Sequence, residues 1–329
     1  MKLVQRSLRL EAPEGLGRKP RPELISPVLG SLHQTLQDAV RMGFLHSSRA
    51  TGRIPDALKA AAEVRYLGHK AAGDGATVLR FEVPPFGRAA AEVFQQKLLW
   101  EDGPKPEQTA FELLGAALVD VAEGCTESSR FDPGLLRRIS TYERMLKRGL
   151  TRIHLIDARI ELPASGKDFV REASGSPCID ERVVSAATEL GRLTPSPRRV
   201  RVVGRLDLMG ASQGVLKLHV DSHDVVTALW VGQGPIDAFR TLFNRDVVLE
   251  GLGVFRPSGS LLRVDTDALE PATAQHEFFR QVPTAIGERD YAAMARLKPG
   301  EKSAYAKLLG SIPAEESDEE FLAALEGLR

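Results

Sequence analysis

The chain has 329 residues, 44 Lys and Arg against 44 Asp and Glu, and 43% hydrophobic residues. That length exceeds one typical domain. The zero net charge lacks the basic excess with which proteins coat nucleic acid or anionic membranes non-specifically.

Two cysteines, Cys125 and Cys178, stand far apart and outside any Cys-x-x-Cys spacing. They point away from a structural zinc site and from a disulfide framework, and fit a reducing cytoplasm. The opening stretch MKLVQRSLRLEAPEGLGRKPRPE holds no apolar run of signal-peptide length, and no run of about 18 apolar residues occurs anywhere. A cytoplasmic protein with no membrane partner is expected.

In chain order, KLVQRSLRLEA alternates and reads as an edge strand, followed by a proline-rich basic loop. SPVLGSLHQTLQDAVRMGFL places Leu29, Leu32, Leu36, Val40 and Phe44 at helical spacing. The basic stretch RMGFLHSSRATGR then reads as a solvated loop. IPDALKAAAE is a short helix, and VRYLGHKAAGDGATVLRFEVP alternates on both sides of GDG, as a β-hairpin does.

TAFELLGAALVDVAEG sets Phe111, Leu114, Leu118 and Val121 on one face, with Gly124 as its stop. FDPGLLRRISTYERMLKRG has Asp132 as N-cap, Pro133 at the first position and Gly149 at the end. LTRIHLIDARIEL is one strand or two. After a turn-rich connection, IDERVVSAATELGRL is a helix that TPSP ends, because proline cannot continue it.

From Arg198 the period switches to two. RRVRVVGRLDLM, GVLKLHVDS and DVVTALWVG are three strands. GPIDAFRTLFN is a short helix with Ile236, Phe239 and Phe243 on one side. RDVVLEGLGVF and SLLRVDTDALEP are two more strands, joined by RPSG, where Pro257 fixes φ and Gly259 relieves the return. Both sides of the fourth strand are apolar or small, as in a strand covered on both faces.

The chain is therefore expected to be α+β. A mixed helix and antiparallel-strand domain spans residues 1–165, a linker and helix 166–197, a five-stranded OB-like β-barrel 198–272, and a helical, acidic tail 273–329. The barrel assignment rests on the element order strand, strand, strand, helix, strand, strand, which resembles the OB-fold. The whole chain resembles a family of uncharacterised bacterial proteins through TPSPRRVRVVGRLDLM and VFRPSGSLLRVDTDALEP. That resemblance implies no particular activity.

Many OB barrels hold single-stranded nucleic acid or sugars across strands 2 and 3 and the adjoining loops. By that resemblance the candidate contacts are Arg199, Arg201, Arg205 and Lys217 for phosphate, Trp230 and Phe255 for stacking, and Arg256 and Arg263 at the hairpin. Against this, arginine at alternate positions is what any half-exposed strand shows, and the barrel's cations are matched by acidic residues.

HVDSHDV gathers His219, Asp221, His223 and Asp224, but it falls where a turn is expected, and turns favour Asp and Ser for backbone reasons. Cys125 has no histidine near it in sequence and reads as a passive thiol. No phosphate loop, nucleophile elbow or HExxH motif occurs, so neither catalysis nor a cofactor is expected. The acidic C-terminus places Phe321, Leu322 and Leu325 on one amphipathic helix that can dock into a partner's groove, and it resembles the termini of bacterial antitoxins. The function expected is non-catalytic binding of a protein partner, with single-stranded nucleic-acid binding by the barrel as the alternative.

Overall fold

A computed structural model describes residues 2–13, 20–49, 54–91, 103–156, 161–163, 170–172, 177–210, 214–220, 225–233 and 236–285. Residues 1–287 form one compact unit; residues 288–329 lie outside the described residues.

The compact unit opens with an antiparallel sheet of β1 (Val4–Glu11), β2 (Arg65–Ala71), β3 (Thr77–Val83), β4 (Arg152–Ile156) and β7 (Cys178–Ile179), in the order β2-β3-β1-β4-β7. β5 (Glu161–Pro163) and β6 (Val170–Glu172) pair separately. β1 lies between β3 and β4 rather than at an edge, because two distant segments supply its partners. An edge falls instead to β2, which is exposed on both faces. The GDG hairpin forms between β2 and β3, with Gly75 at φ 89° and Asp74 accepting from the Ala76 N–H at 3.3 Å.

Helix α1 (Ile25–Leu45) carries the predicted stripe: Leu32, Leu36, Val40 and Phe44 are buried. α2 (Asp56–Ala61) and α3 (Phe86–Ala89) are short. α4 (Ala110–Ala122) begins at a capping box between Thr109 and Glu112 and stops where Gly124 takes φ 67°. Its four predicted apolar residues are all buried.

Asp132 caps α5 (Pro133–Ser140), as its sequence suggests. The helix does not run on to Gly149; it breaks at Thr141 and Tyr142 and resumes as α6 (Glu143–Lys147). α7 (Glu181–Leu193) is capped by Asp180. The apolar faces of α1, α4, α5 and α7 join Leu8, Leu10, Leu79, Phe81, Ile153 and Leu155 of the sheet in one core. Each such fully buried side chain contributes roughly 1.5–3 kcal/mol by leaving water.

The second half closes into a five-stranded barrel of β8 (Arg198–Gly210), β9 (Val215–His219), β10 (Val225–Trp230), β11 (Asp246–Phe255) and β12 (Leu261–Pro271). β8, β9 and β10 form an antiparallel meander. β11 pairs antiparallel with β8, β12 antiparallel with β11, and β12 parallel with β10. That order is compatible with an OB-like barrel.

The long β8 serves two seams: its first half pairs with β11 and its second with β9. Gly204 sits at the changeover, where a Cβ would stand 2.7 Å from the His219 carbonyl oxygen. Between β10 and β11 the chain makes 3₁₀ turns (Ile236–Leu242), not an α-helix. A period of three puts Phe239 and Leu242 on the barrel core and leaves Phe243, expected beside Phe239, 53% exposed.

Both barrel ends are stoppered. Phe239 meets Trp230 edge to face at 4.7 Å. At the other end Ala285, 6% exposed, enters the core beside Val282, and its N–H donates to the Gly259 carbonyl at 2.8 Å.

Candidate interaction face of the barrel

Alternation sends Leu216, Leu218, Val226 and Ala228 into the barrel, so Val215, Lys217, His219, Thr227 and Leu229 face outward on β9 and β10. OB barrels commonly use this side for ligands. Here Val215 and Leu229, which oppose each other, are buried in the core of the helix-and-sheet layer. Lys217 is half-buried beside them.

The β11–β12 hairpin tip is engaged internally as well. The Ser258 N–H donates to the Thr126 carbonyl at 3.3 Å, and the Ser260 hydroxyl donates to Glu127 at 2.8 Å. Hydrogen bonds from the Ser258 and Ser260 hydroxyls hold the Glu127 carboxyl below its ordinary pKa against the opposing effect of burial.

Arg256 and Arg263 belong to this junction. Arg256 donates to the Leu261 carbonyl, and burial lowers its pKa. Arg263 is 5% exposed; it donates to Asp265 at 2.8 Å, to the His46 carbonyl at 2.9 Å and to Asp132 at 3.3 Å.

Arg263 faces out by alternation with Val264 in the barrel core; beyond it Val254 pairs with Arg263 but Phe255 pairs with Leu261, so a β-bulge leaves Leu262 as an extra residue on the same outer side. Leu262 then packs with Val254 and Met42. The basic loop after α1 is drawn into the same seam. Ser47 and Ser48 are fully buried rather than solvated, because Asp132 accepts from both the N–H and the hydroxyl of Ser48.

The stacking candidates point inward. Phe255 is 2% exposed in the barrel core, and Trp230 packs on Phe239 as part of the stopper. What remains outside is the β8 face, where Arg199, Arg201 and Arg205 stand in a row as expected, each exposed.

Arg199 forms a two-pronged pair with Asp267 at 2.6 and 2.9 Å and also meets Glu250 at 3.0 Å; Arg201 meets the other oxygen of Glu250 at 2.8 Å. Arg201, then Arg199, hold the Glu250 carboxyl below the usual range, and Asp267 raises the pKa of Arg199. Arg201 also lies 5.8 Å from the centre of the Phe279 ring. The carbons of Phe279 belong to a 3₁₀ strap (Ala274–Phe279), which is anchored by Arg280 to Asp246 at 2.6 Å and to Glu277 at 2.7 Å. Among the strap's residues none is buried, and Phe278 is 86% exposed.

No group of three or more His, Cys, Asp or Glu suited to a metal ion occurs among the described residues. His219 meets Asp207 at 3.1 Å, while Asp221, His223 and Asp224 lie outside those residues, as do the tail candidates Phe321, Leu322 and Leu325. The sequence reading missed one juxtaposition: His154 opposes Cys178, not Cys125, across β4 and β7. Burial, followed by the Asp180 charge, raises the Cys178 pKa, which favours the neutral thiol over the nucleophilic thiolate. No described helix is long and apolar enough to cross a membrane. Comparison with protein-family models, curated proteins and solved structures finds no match to this chain.

Proposed function

We propose that the chain is a non-catalytic binding protein that engages a protein partner through the barrel side bearing the strap. The observation that carries this reading is Phe278, 86% exposed on an ordered turn whose neighbour Phe279 is braced by Arg201. An exposed aromatic on a pre-ordered support is the kind of anchor that partners bury.

Two further features support the same reading. The arginine row of β8 is largely neutralised by Glu250 and Asp267. On the side of β9 and β10 that would receive nucleic acid, Val215 and Leu229 are buried against the helix-and-sheet layer. The acidic terminus with Phe321, Leu322 and Leu325 supplies a second contact in this proposal, and its likeness to antitoxin termini suggests a toxin–antitoxin or phage-defence setting.

The test is co-purification with the full chain, the Phe278→Ser variant and a chain lacking residues 315–329. Loss of the same protein species from the variants supports the reading; identical recovery from all three rejects it. Single-stranded nucleic acid is the second reading, because Arg199, Arg201 and Arg205 do share one outer face. It requires salt-sensitive oligonucleotide binding that the Arg199→Ala and Arg201→Ala changes weaken.

A further inference from the structure

We infer that the strap side of the barrel is a docking patch for an acidic, amphipathic helical segment of a partner protein, formed by Arg205, Arg245, Phe243 and Phe278. This rests on the protein-partner reading above and adds the partner's chemistry.

The cations are left over by the chain's own pairing. Arg199, Arg201, Arg263 and Arg280 each meet a carboxylate. Arg205 and Arg245 are exposed, and their side chains make no ion pair or hydrogen bond among the described residues. Arg205 is the cross-strand partner of Asp246, and Arg245 is the residue just before β11 begins. Arg280 occupies the Asp246 carboxylate at 2.6 Å, so that group has a closer cation than Arg205. Arg205 therefore stands opposite a carboxylate already engaged, with Arg245 next along the chain.

The apolar anchors flank the same bridge. Phe243 lies three residues before Asp246 and Phe278 two before Arg280; they are 53% and 86% exposed. The bridge, together with the Ala272 N–H donated to the Asp246 carbonyl at 2.9 Å, ties the strap to the start of β11. The patch thus joins exposed rings to uncompensated cations on supports fixed in advance, which lowers the ordering cost of binding.

An amphipathic helix with leucines on one face and glutamates at its margin complements that pattern, since its anchors recur every three or four residues. A phosphate chain fits less well. Asp207, Glu250 and Glu277 are interspersed with the arginines, and a polyanion track needs cations in succession.

The test is fluorescence anisotropy with the full chain and three labelled probes: an amphipathic peptide of glutamates and leucines, its lysine counterpart, and oligothymidylate. The glutamate peptide should bind at least about tenfold more tightly than the lysine peptide, and added salt should weaken it. Arg205→Glu with Arg245→Glu should abolish the preference, and Phe278→Ser should cost about tenfold while thermal unfolding stays unchanged.

Equal binding of the two peptides, or binding that survives the double reversal, overturns the patch while leaving the partner reading to its own co-purification test. Preferential capture of oligothymidylate, lost in the same variants, overturns it in favour of a nucleic-acid ligand.

Discussion

Arg263 of the barrel meets Asp132, the N-cap of α5, at 3.3 Å, with exposures of 5% and 3%. Asp132 also accepts from the Leu135 N–H at 2.9 Å and the Ser48 N–H at 3.0 Å, so one carboxylate binds a helix start, a buried loop and a barrel strand together. The ion pair ties the barrel to the helix layer. Arg263→Ala is expected to cost about 3 kcal/mol, because it strands a buried charge. Urea unfolding should measure that loss and should remain one transition. Adding Asp132→Asn should return part of it by removing the stranded charge, and a purely additive double variant would refute the coupling.

Gly259 and Gly149 separate two causes of glycine preference. Both have positive φ, 90° and 113°. A Cβ at Gly149 meets nothing within 4 Å, whereas one at Gly259 would stand 2.1 Å from the Ala285 carbonyl oxygen. Gly149→Ala should therefore lose only the conformational term, about 1 kcal/mol. Gly259→Ala should lose more and should also expel Ala285 from the barrel mouth. Limited proteolysis within residues 272–285 should accelerate in Gly259→Ala alone; equal rates in the two variants would separate the turn from the stopper.

The hairpin that joins β11 and β12 shows how much a local pattern can reveal. Its alternation and the RPSG turn are present in the fold, since a strand's period and a turn's φ are local properties, but the outer side of β11 is covered only in part: Leu252 is 42% exposed. Val248 and Val254 are 8% and 4% exposed on the outer side, where Glu250 and Leu252 between them stay open to solvent. The parallel closure of β10 on β12 joins segments far apart in sequence and leaves no local mark.

Site residues were less legible for related reasons. Alternation places Arg263 on the outer side of β12, and its burial comes from Asp132 and the His46 carbonyl, which are distant in sequence. An α period sets Phe243 on one side with Phe239, whereas 3₁₀ turns rotate it outward. Arg199 and Arg201 were correctly placed on one face, but their neutralisation depends on Glu250 and Asp267 from other strands.

Glu250 gives a pH dependence with a definite sign. Arg201 and Arg199 hold its folded pKa below the ordinary glutamate value of about 4.3. Its contribution is therefore complete above that ordinary value and is lost as pH falls through the lower folded value. The carboxylate is partly exposed, so solvent screening limits the contribution to about 0.5 kcal/mol. Glu250→Gln should flatten this part of the acid limb of stability while changing little above pH 6. An acid limb identical to that of the parent chain would show that the two arginines do not stabilise the carboxylate.

Trp230 distinguishes a structural role from a ligand role. Its ring meets Phe239 edge to face at 4.7 Å, and a Cβ at Gly232 would stand 2.6 Å from the indole, so the surrounding chain is fitted to this side chain. Trp230→Ala should open a cavity at the barrel end and cost about 3 kcal/mol in chemical denaturation. Trp230→Phe should recover much of that, because an aromatic pair with Phe239 remains. Under a stacking role, Trp230→Ala would instead leave stability nearly unchanged and remove oligonucleotide binding. The two outcomes are separable on one purified variant by a denaturant melt beside an anisotropy titration. Packing of the partly buried ring against Phe239 predicts that the melt shifts.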